Sequence, residues 1–494
     1  MKLKVKKLDI ETGGTPIVVI DDNTAKDIDI HPMDRVKIKR GEKELIAVVD
    51  IARRAIGRNE IGVFGEVTRA LKLREGQEVR VDLVEKPASV ASIIKKLRGE
   101  ELTRDEIYSI IKDTVENKLA EIELTAFVTS CYTEGMSLEE IYYLTLATVE
   151  TGEKLELKRY PILDKHSIGG ICGSRVSMII VPIIASFELT IPKTSSRAIT
   201  SPAGTADSME VLARVSFTID ELKRIISKTH GCIAWGGAMQ LAAADDKLIR
   251  VRYPLGLDPE GMLLSSILAK KLAVGATHVV LDIPVGEGAK VETMLEAKHL
   301  ERQFLRLASR LEMNLRTVIT DGSQPIGNGI GPALEARDVL LVLEGSGPKD
   351  LRDKSLRLAG ELLELIGRAR RGEGVKLAEK ALESGKALRK MREIIAAQGG
   401  DAEVEPEDIK LGRCACDYHA EKGGKVLHID NNLISKIARI AGAPRAKGAG
   451  IYLYKHVGDP VEIGEKILTV YSESRKRLGD AMKVLRELKP VEIG

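Results

Sequence analysis

The sequence predicts a multidomain α/β protein: a helical domain and a large mixed-sheet α/β domain, flanked by a β-rich N-terminal domain and a β-rich C-terminal domain. Three observations carry this expectation. The 494 residues exceed one core, because at roughly 150 residues per domain they make about three or four units. The apolar period changes along the chain from alternation to helical spacing and back. Glycine-rich turns follow several of the central apolar runs, as they do at the carboxyl ends of strands in an open α/β sheet.

Residues 1–84 alternate apolar and polar positions in TPIVVID, DRVKIKR, KELIAVVDIA and EIGVFG, broken by Gly, Asp and Asn turns, which reads as a small β domain. After Pro87, residues 85–155 carry apolar positions at helical spacing, with Thr103 before RDE and Ser137 before LEE as N-caps. Residues 244–274 belong with them in one helical domain. The α/β domain spans 156–243 and 275–412, where VSMIIVPIIASFE, CIAWGG, THVVLDIPVG, LRTVITDG and DVLLVLEG alternate with helices. Such alternation implies a parallel or mixed sheet with helices on both faces. Residues 413–494 return to short strands with the glycine turns of a barrel-sandwich. No lysine occupies the tip that carrier domains of that kind modify, so a structural or oligomer-supporting role is expected of this α+β domain.

Charge excludes some classes. Lys plus Arg number 76 against 73 Asp plus Glu, a net charge of +3, so no basic field argues for nucleic acid or a membrane surface. A charged fraction of 30% with 3% aromatics resembles the ion-pair style of heat-adapted proteins. The first residues, MKLKVKKLDIE, lack the apolar core of a signal peptide, and a cytoplasmic location is expected. Cys131, Cys172, Cys232, Cys414 and Cys416 are too scattered for a disulfide framework and read as buried or free thiols. Cys414 and Cys416, with His419, lack a fourth zinc ligand and read as a loop. The histidines are dispersed, so no metal and no cofactor are expected.

The chemistry concentrates between Lys165 and Glu210. KHSIGGICGSRV and IPKTSSRAITSPAGTADSME are two strand, loop and helix turns crowded with glycine, hydroxyls and cations. Glycine lets backbone N–H groups approach a ligand closely, helix starts donate further N–H groups, and Lys165, Arg175 and Arg197 add charge. A helix is expected to begin near Gly173 and carry Ser174, Arg175 and Ser177 on its first turn; a second is expected near Thr205 and Asp207. One such turn is ordinary. Two in one sheet point to an oxyanion, with phosphate the foremost candidate.

The runs KHSIGG, SSRAITSPAGTADSMEVLA, SSILAKKLAVG, VGEGAK and TDGSQPIGNGIG resemble, in order and spacing, the thymidine and pyrimidine nucleoside phosphorylase family over about residues 85–494. The extra N-terminal β domain, and SSRAIT where thymidine enzymes usually read SGRGLG, resemble its archaeal AMP phosphorylase branch. That branch cleaves a nucleoside 5′-monophosphate with phosphate to free base and ribose 1,5-bisphosphate. The resemblance implies that Lys165, Ser167, Ser177, Ser195 and Thr205 line the attacking phosphate. It implies that Gly170, Ser196, Arg197, Ala198, Ile199, Thr200, Ser201 and Thr205 contact the nucleotide, with Arg252, Ser266, Lys270 and Lys290. Ser266 and Lys270 stand four apart on one helix face, which a shared ligand needs and a solvated helix also permits.

The chain departs from the thymidine pattern at Ile249, where a tyrosine is usual, and in RYPLGLDPEGMLLSS, one residue shorter and carrying Asp258. The resemblance implies Asp258 as proton donor to the base, its carboxyl kept neutral by an apolar site, although Asp258 and Pro259 also suit a simple turn. His166 is the reserve acid or base. Arg197, Arg175 and Lys290 are candidates for the 5′-phosphate. Expected partners are AMP, with CMP and UMP as further nucleotides, phosphate as co-substrate, and a second copy in a homodimer that the N-terminal domain can extend. Closure of the helical domain over the α/β domain is also expected. Three alternatives stand beside this reading: a phosphorylase of unphosphorylated pyrimidine nucleosides, an anthranilate-type phosphoribosyltransferase, and a non-catalytic assembly protein.

Overall fold

Alternation in the N-terminal segments closes a six-stranded barrel in the order Lys2–Lys7, Glu60–Val63, Ile17–Asp21, Lys43–Ala52, Arg35–Arg40 and Glu78–Leu83. Every strand has two neighbours, so no edge is left to recruit another chain. Val5, Val18, Ile20, Val36, Ile38, Val49, Ile61 and Val81 form its core. The structure, a computed structural model, describes residues 1–13, 16–84, 86–198 and 201–494. It divides into two units, Met1–Thr151 with Ala243–Ser266 and Gly152–Ala242 with Ile267–Gly494.

The first unit joins the barrel to helices Ser89–Leu97, Arg104–Val115, Glu121–Thr133, Leu138–Glu150 and Ala243–Arg252, and to the start of Glu260–Ala273. Thr103 and Ser137 each form the reciprocal cap that their sequences predict, with Glu106 and Glu140 as partners. Glu140 does more. It is buried, and its carboxylate pairs with the equally buried Lys96 at 2.9 Å, tying two helices together. Arg35 of the barrel reaches Glu123 of a helix at 2.5 Å.

In the second unit, strands Leu163–Ser167, His278–Val285 and Asn314–Asp321 pair in parallel, and Ile191–Ser195 pairs in parallel with Gly231–Trp235. A parallel bridge between Ile162 and Thr190 links the two sets. Two of the five apolar runs are helices and not strands. VSMIIVPIIASFE forms Val176–Ala185, buried at all ten positions, and DVLLVLEG lies in Pro332–Glu344. A helix surrounded by protein has no polar face, so its period is hidden and a short apolar run cannot be told from a strand.

The C-terminal part contains two small sheets and the helices Asn431–Ala441 and Arg475–Leu488. One sheet runs Gly329–Ile330, Gly450–Leu453, Lys466–Ser472 and Cys414–His419, so a turn of the α/β part supplies its first strand. Cys414 and Cys416 therefore lie on a strand and not in a loop. Their segment, CACDYH, pairs antiparallel with Lys466–Ser472. Among the described residues no helix is long and apolar enough to cross a membrane.

Candidate active site

Strand Leu163–Ser167 carries two adjacent buried charges, Asp164 and Lys165, into the middle of the sheet. Its neighbour supplies Asp282, in register with Ser167. Ser167 Oγ donates to Asp282 Oδ2 at 2.8 Å and Thr320 Oγ1 donates to Oδ1 at 2.6 Å. Lys354 Nζ lies 3.3 Å and Lys165 Nζ 3.9 Å from the same carboxylate. Burial opposes ionisation of Asp282, but the two cations and two hydroxyls outweigh it and hold the carboxyl below its ordinary range. Asp164 is paired with Lys271 and, at 3.6 Å, with Lys193, which also donates to the Lys165 carbonyl at 2.8 Å.

Four buried lysines, Lys165, Lys193, Lys271 and Lys354, thus face two buried aspartates, Asp164 and Asp282. That leaves an excess of positive charge away from water. Burial is the main cause that lowers the Lys165 ammonium to about 8 and Lys271 to about 7, with like-charged neighbours adding to it; Lys193 is lowered for the same reasons. An anion docked here would relieve the excess. Burial, then Lys271, Lys193, Lys270 and Lys165, push His166 well below its ordinary value, so near pH 7 it is neutral. That shift removes the proton an acid would donate and weakens the imidazole as a base by the same causes.

The turns that follow the strands interlock. Gly170 has φ +97°, and a Cβ built on it would lie 2.3 Å from Lys290 N, so the KHSIGG and VGEGAK turns touch backbone to backbone. Gly286 likewise meets Ser323 N at 2.4 Å, joining VGEGAK to DGSQPIGNGIG. Arg175 caps helix Val176–Ala185, which therefore begins three residues later than expected. Its guanidinium lies 2.5 Å from Glu335 and donates to Thr205 Oγ1 at 3.2 Å and Ala203 O at 2.9 Å. Ser177 and Thr205 are both buried beside these helix starts. Arg175 thus clamps one turn to the other.

Arg197 is also engaged. It forks onto Glu210 at 2.5 and 2.7 Å, reaches Asp207 at 3.2 Å and stacks 4.8 Å from the Trp235 ring centre. These bonds raise the Arg197 value and lower Glu210, held by Arg197 first and Lys447 next, to about 2. Asp207 accepts from Ala198 N at 2.7 Å and Gly204 N at 2.9 Å, shaping the second loop. Ser195 Oγ donates to the Ser196 carbonyl at 3.2 Å, and Ser201 Oγ to Ala203 O at 2.9 Å. Ile199 and Thr200 lie outside the described residues.

In the first unit, Arg252 is buried and its guanidinium lies 3.2 Å from Asp258, whose side chain is 40% exposed. The carboxylate therefore sits beside a cation and water, without the apolar enclosure expected for a neutral acid. Ser266 Oγ donates to the buried Asp245 at 2.7 Å, and Lys270 follows one turn later on helix Glu260–Ala273. Among the described residues no group of three His, Cys, Asp or Glu is placed to hold a metal ion. Sequence reasoning missed Asp164, Lys193, Lys271, Asp282 and Lys354. For Asp282 and Lys193 the available signal was a lone charge inside an apolar run, as in VVLDIP and IPKTS.

Three family descriptions match this chain: "Glycosyl transferase family, helical bundle domain" over residues 90–152, "Glycosyl transferase family, a/b domain" over 159–388, and "Pyrimidine nucleoside phosphorylase C-terminal domain" over 425–491. The chain is 50% identical to the AMP phosphorylase of Thermofilum pendens, covering 100% of this chain and 95% of that one. It belongs to the AMP phosphorylase family. The AMP phosphorylase of Pyrococcus furiosus is 47% identical over 100% of this chain and 98% of its own. Both alignments cover the entire chain, residues 1–84 included. Among solved structures, anthranilate phosphoribosyltransferase from Thermus thermophilus superimposes with a TM-score of 0.52 at 20% identity, over 62% of this chain and 99% of that one. The Saccharomyces cerevisiae enzyme gives 0.52 at 18% over 63% and 98%, and these likenesses extend to the fold alone.

Proposed function

We infer that this protein is an AMP phosphorylase, a pentosyltransferase that cleaves nucleoside 5′-monophosphates with inorganic phosphate. The observation that carries the reading is the full-length identity of 50% to a protein of that activity. The buried excess of lysine charge around the strand that leads into the first glycine turn agrees with it.

In the reaction a phosphate oxygen bonds to the ribose anomeric carbon while the bond from that carbon to the base breaks. The base leaves with a proton, and AMP yields adenine and ribose 1,5-bisphosphate. Positioning is the main requirement, because the attacking anion must be held against a carbon that becomes partly cationic. Lys165, Ser167, Ser177, Ser195 and Thr205 are assigned to that anion, each charge-assisted hydrogen bond contributing about 1.5–3 kcal/mol. Asp282 anchors Lys165 and holds the hydroxyl of Ser167, whose one proton has to turn from that carboxylate to the phosphate. Asp258 is assigned as proton donor, for which it has to exchange its Arg252 partner for the base. Arg197 and Lys290 are assigned to the 5′-phosphate, in competition with Glu210 and Asp207 for Arg197.

The test is phosphate-dependent base release from AMP, CMP, UMP, adenosine and thymidine. AMP is expected to be the best substrate. Adenosine should fall by about a hundredfold in kcat/KM, the effect of roughly two charge-assisted bonds to the missing phosphate. Equal rates with adenosine or thymidine would contradict the assignment.

A further inference from the structure

Asn431 opens helix Asn431–Ala441 of the C-terminal part and is 1% exposed. Its amide lies between two turns of the site. Oδ1 accepts from Cys172 N at 3.4 Å, and Nδ2 donates to Gly322 O at 3.3 Å. The main chain answers, with Cys172 Sγ donating to Asn431 O at 3.3 Å. A third turn closes on the same residue, because a Cβ on Gly288 would lie 3.3 Å from Asn431 Cβ. The two amide bonds are long, but each end of the amide faces a main-chain group of the opposite kind. Without it, a buried N–H and a buried C=O lose their partner.

Other C-terminal groups grip the same turns. His456 Nε2 lies 2.9 Å from Asn328 Oδ1, and Val457 N donates to Gln324 Oε1 at 2.8 Å. Lys447 Nζ donates to Glu210 Oε2 at 2.5 Å, next to the second loop. Asn431 differs from these in joining two turns through a single side chain. Cys172 follows Gly170 by two residues and precedes Arg175 and Ser177, so a shift at Cys172 moves the first loop as a whole.

We propose that Asn431 is a positioning residue for phosphorolysis, its amide fixing the turn at Gly169–Gly173 against the turn at Gly322–Gly331 and thereby aiming the first loop at the attacking phosphate. The proposal rests on the phosphorylase reading above. It gives the C-terminal part a role in the chemistry through an amide that touches no substrate.

Asn431→Asp keeps the shape and the acceptor toward Cys172 N but removes the donor to Gly322 O, whereas Asn431→Ala removes both. Steady-state kinetics of full-length protein with AMP and phosphate, beside thermal unfolding, tests the role. Asn431→Asp should raise KM for phosphate by about tenfold, roughly one hydrogen bond's effect, and Asn431→Ala by more, having lost both, while KM for AMP stays within about threefold of the parent value. A KM for phosphate within about twofold of the parent in folded N431D would overturn the proposal. So would a parallel rise in both KM values, which marks a merely structural role. If N431A fails to fold, the isosteric N431D decides. The parent protein is assayed alongside: an inactive parent refutes the phosphorylase reading, whereas an active parent with unaltered variants refutes only Asn431.

Discussion

Lys165 carries a charge whose presence depends on pH within the working range. Burial lowers its ammonium from 10.5 to about 8, so the cation is present below that value and is lost as the pH rises through it. KM for phosphate should therefore rise above about pH 8, approaching tenfold per pH unit once the lysine is mostly neutral. Lys165→Arg keeps a permanent charge and should flatten that rise even if turnover suffers. Phosphate KM measured from acid to alkaline pH in both proteins checks this; a flat profile in the parent would exclude Lys165 as the titrating cation. The first-loop residues were legible because glycine, hydroxyls and a cation crowd into twelve letters, KHSIGGICGSRV. Asp164, Asp282, Lys193, Lys271 and Lys354 were not. Each stands in a different element, and only strand pairing and helix packing bring the five together.

At the scale of elements, the capped helices were readable and the buried ones were not. Thr103 and Ser137 announce helix starts through local hydrogen bonds that need no tertiary context, whereas Val176–Ala185 shows its nature only by its surroundings. Turn contacts are equally hidden, and neighbouring glycines expose the difference. Gly169 and Gly170 both have positive φ, but a Cβ on Gly169 meets nothing within 4 Å whereas one on Gly170 strikes Lys290 N. Gly169→Ala should cost only the left-handed strain, about 1–2 kcal/mol of stability. Gly170→Ala must also push the VGEGAK turn away, and a displacement near 1 Å can lower turnover by about a hundredfold. Thermal unfolding and kcat on both variants check the contrast; equal activity would mean that the backbone contact does not matter.

For the whole molecule, the succession of β-rich, helical, α/β and C-terminal parts was legible because the apolar period changes at each junction. What escaped notice is that the C-terminal sheet takes its first strand, Gly329–Ile330, from a turn beside the candidate phosphate loops. A two-residue strand leaves no periodic signal. This connection places a region that reads as an appendage in contact with the candidate phosphate turns, through Asn431, His456 and Lys447. The chemistry assigned to those turns differs from hydrolysis in the oxygen that ends on the anomeric carbon. Incubating the protein with AMP and inorganic phosphate labelled throughout with oxygen-18, then reading the sugar product by phosphorus NMR, follows that oxygen directly. The label should appear in ribose 1,5-bisphosphate, confined to the phosphate on the anomeric carbon, with the 5′-phosphate unlabelled. Release of free ribose 5-phosphate, or a product without label, would contradict attack by a bound phosphate.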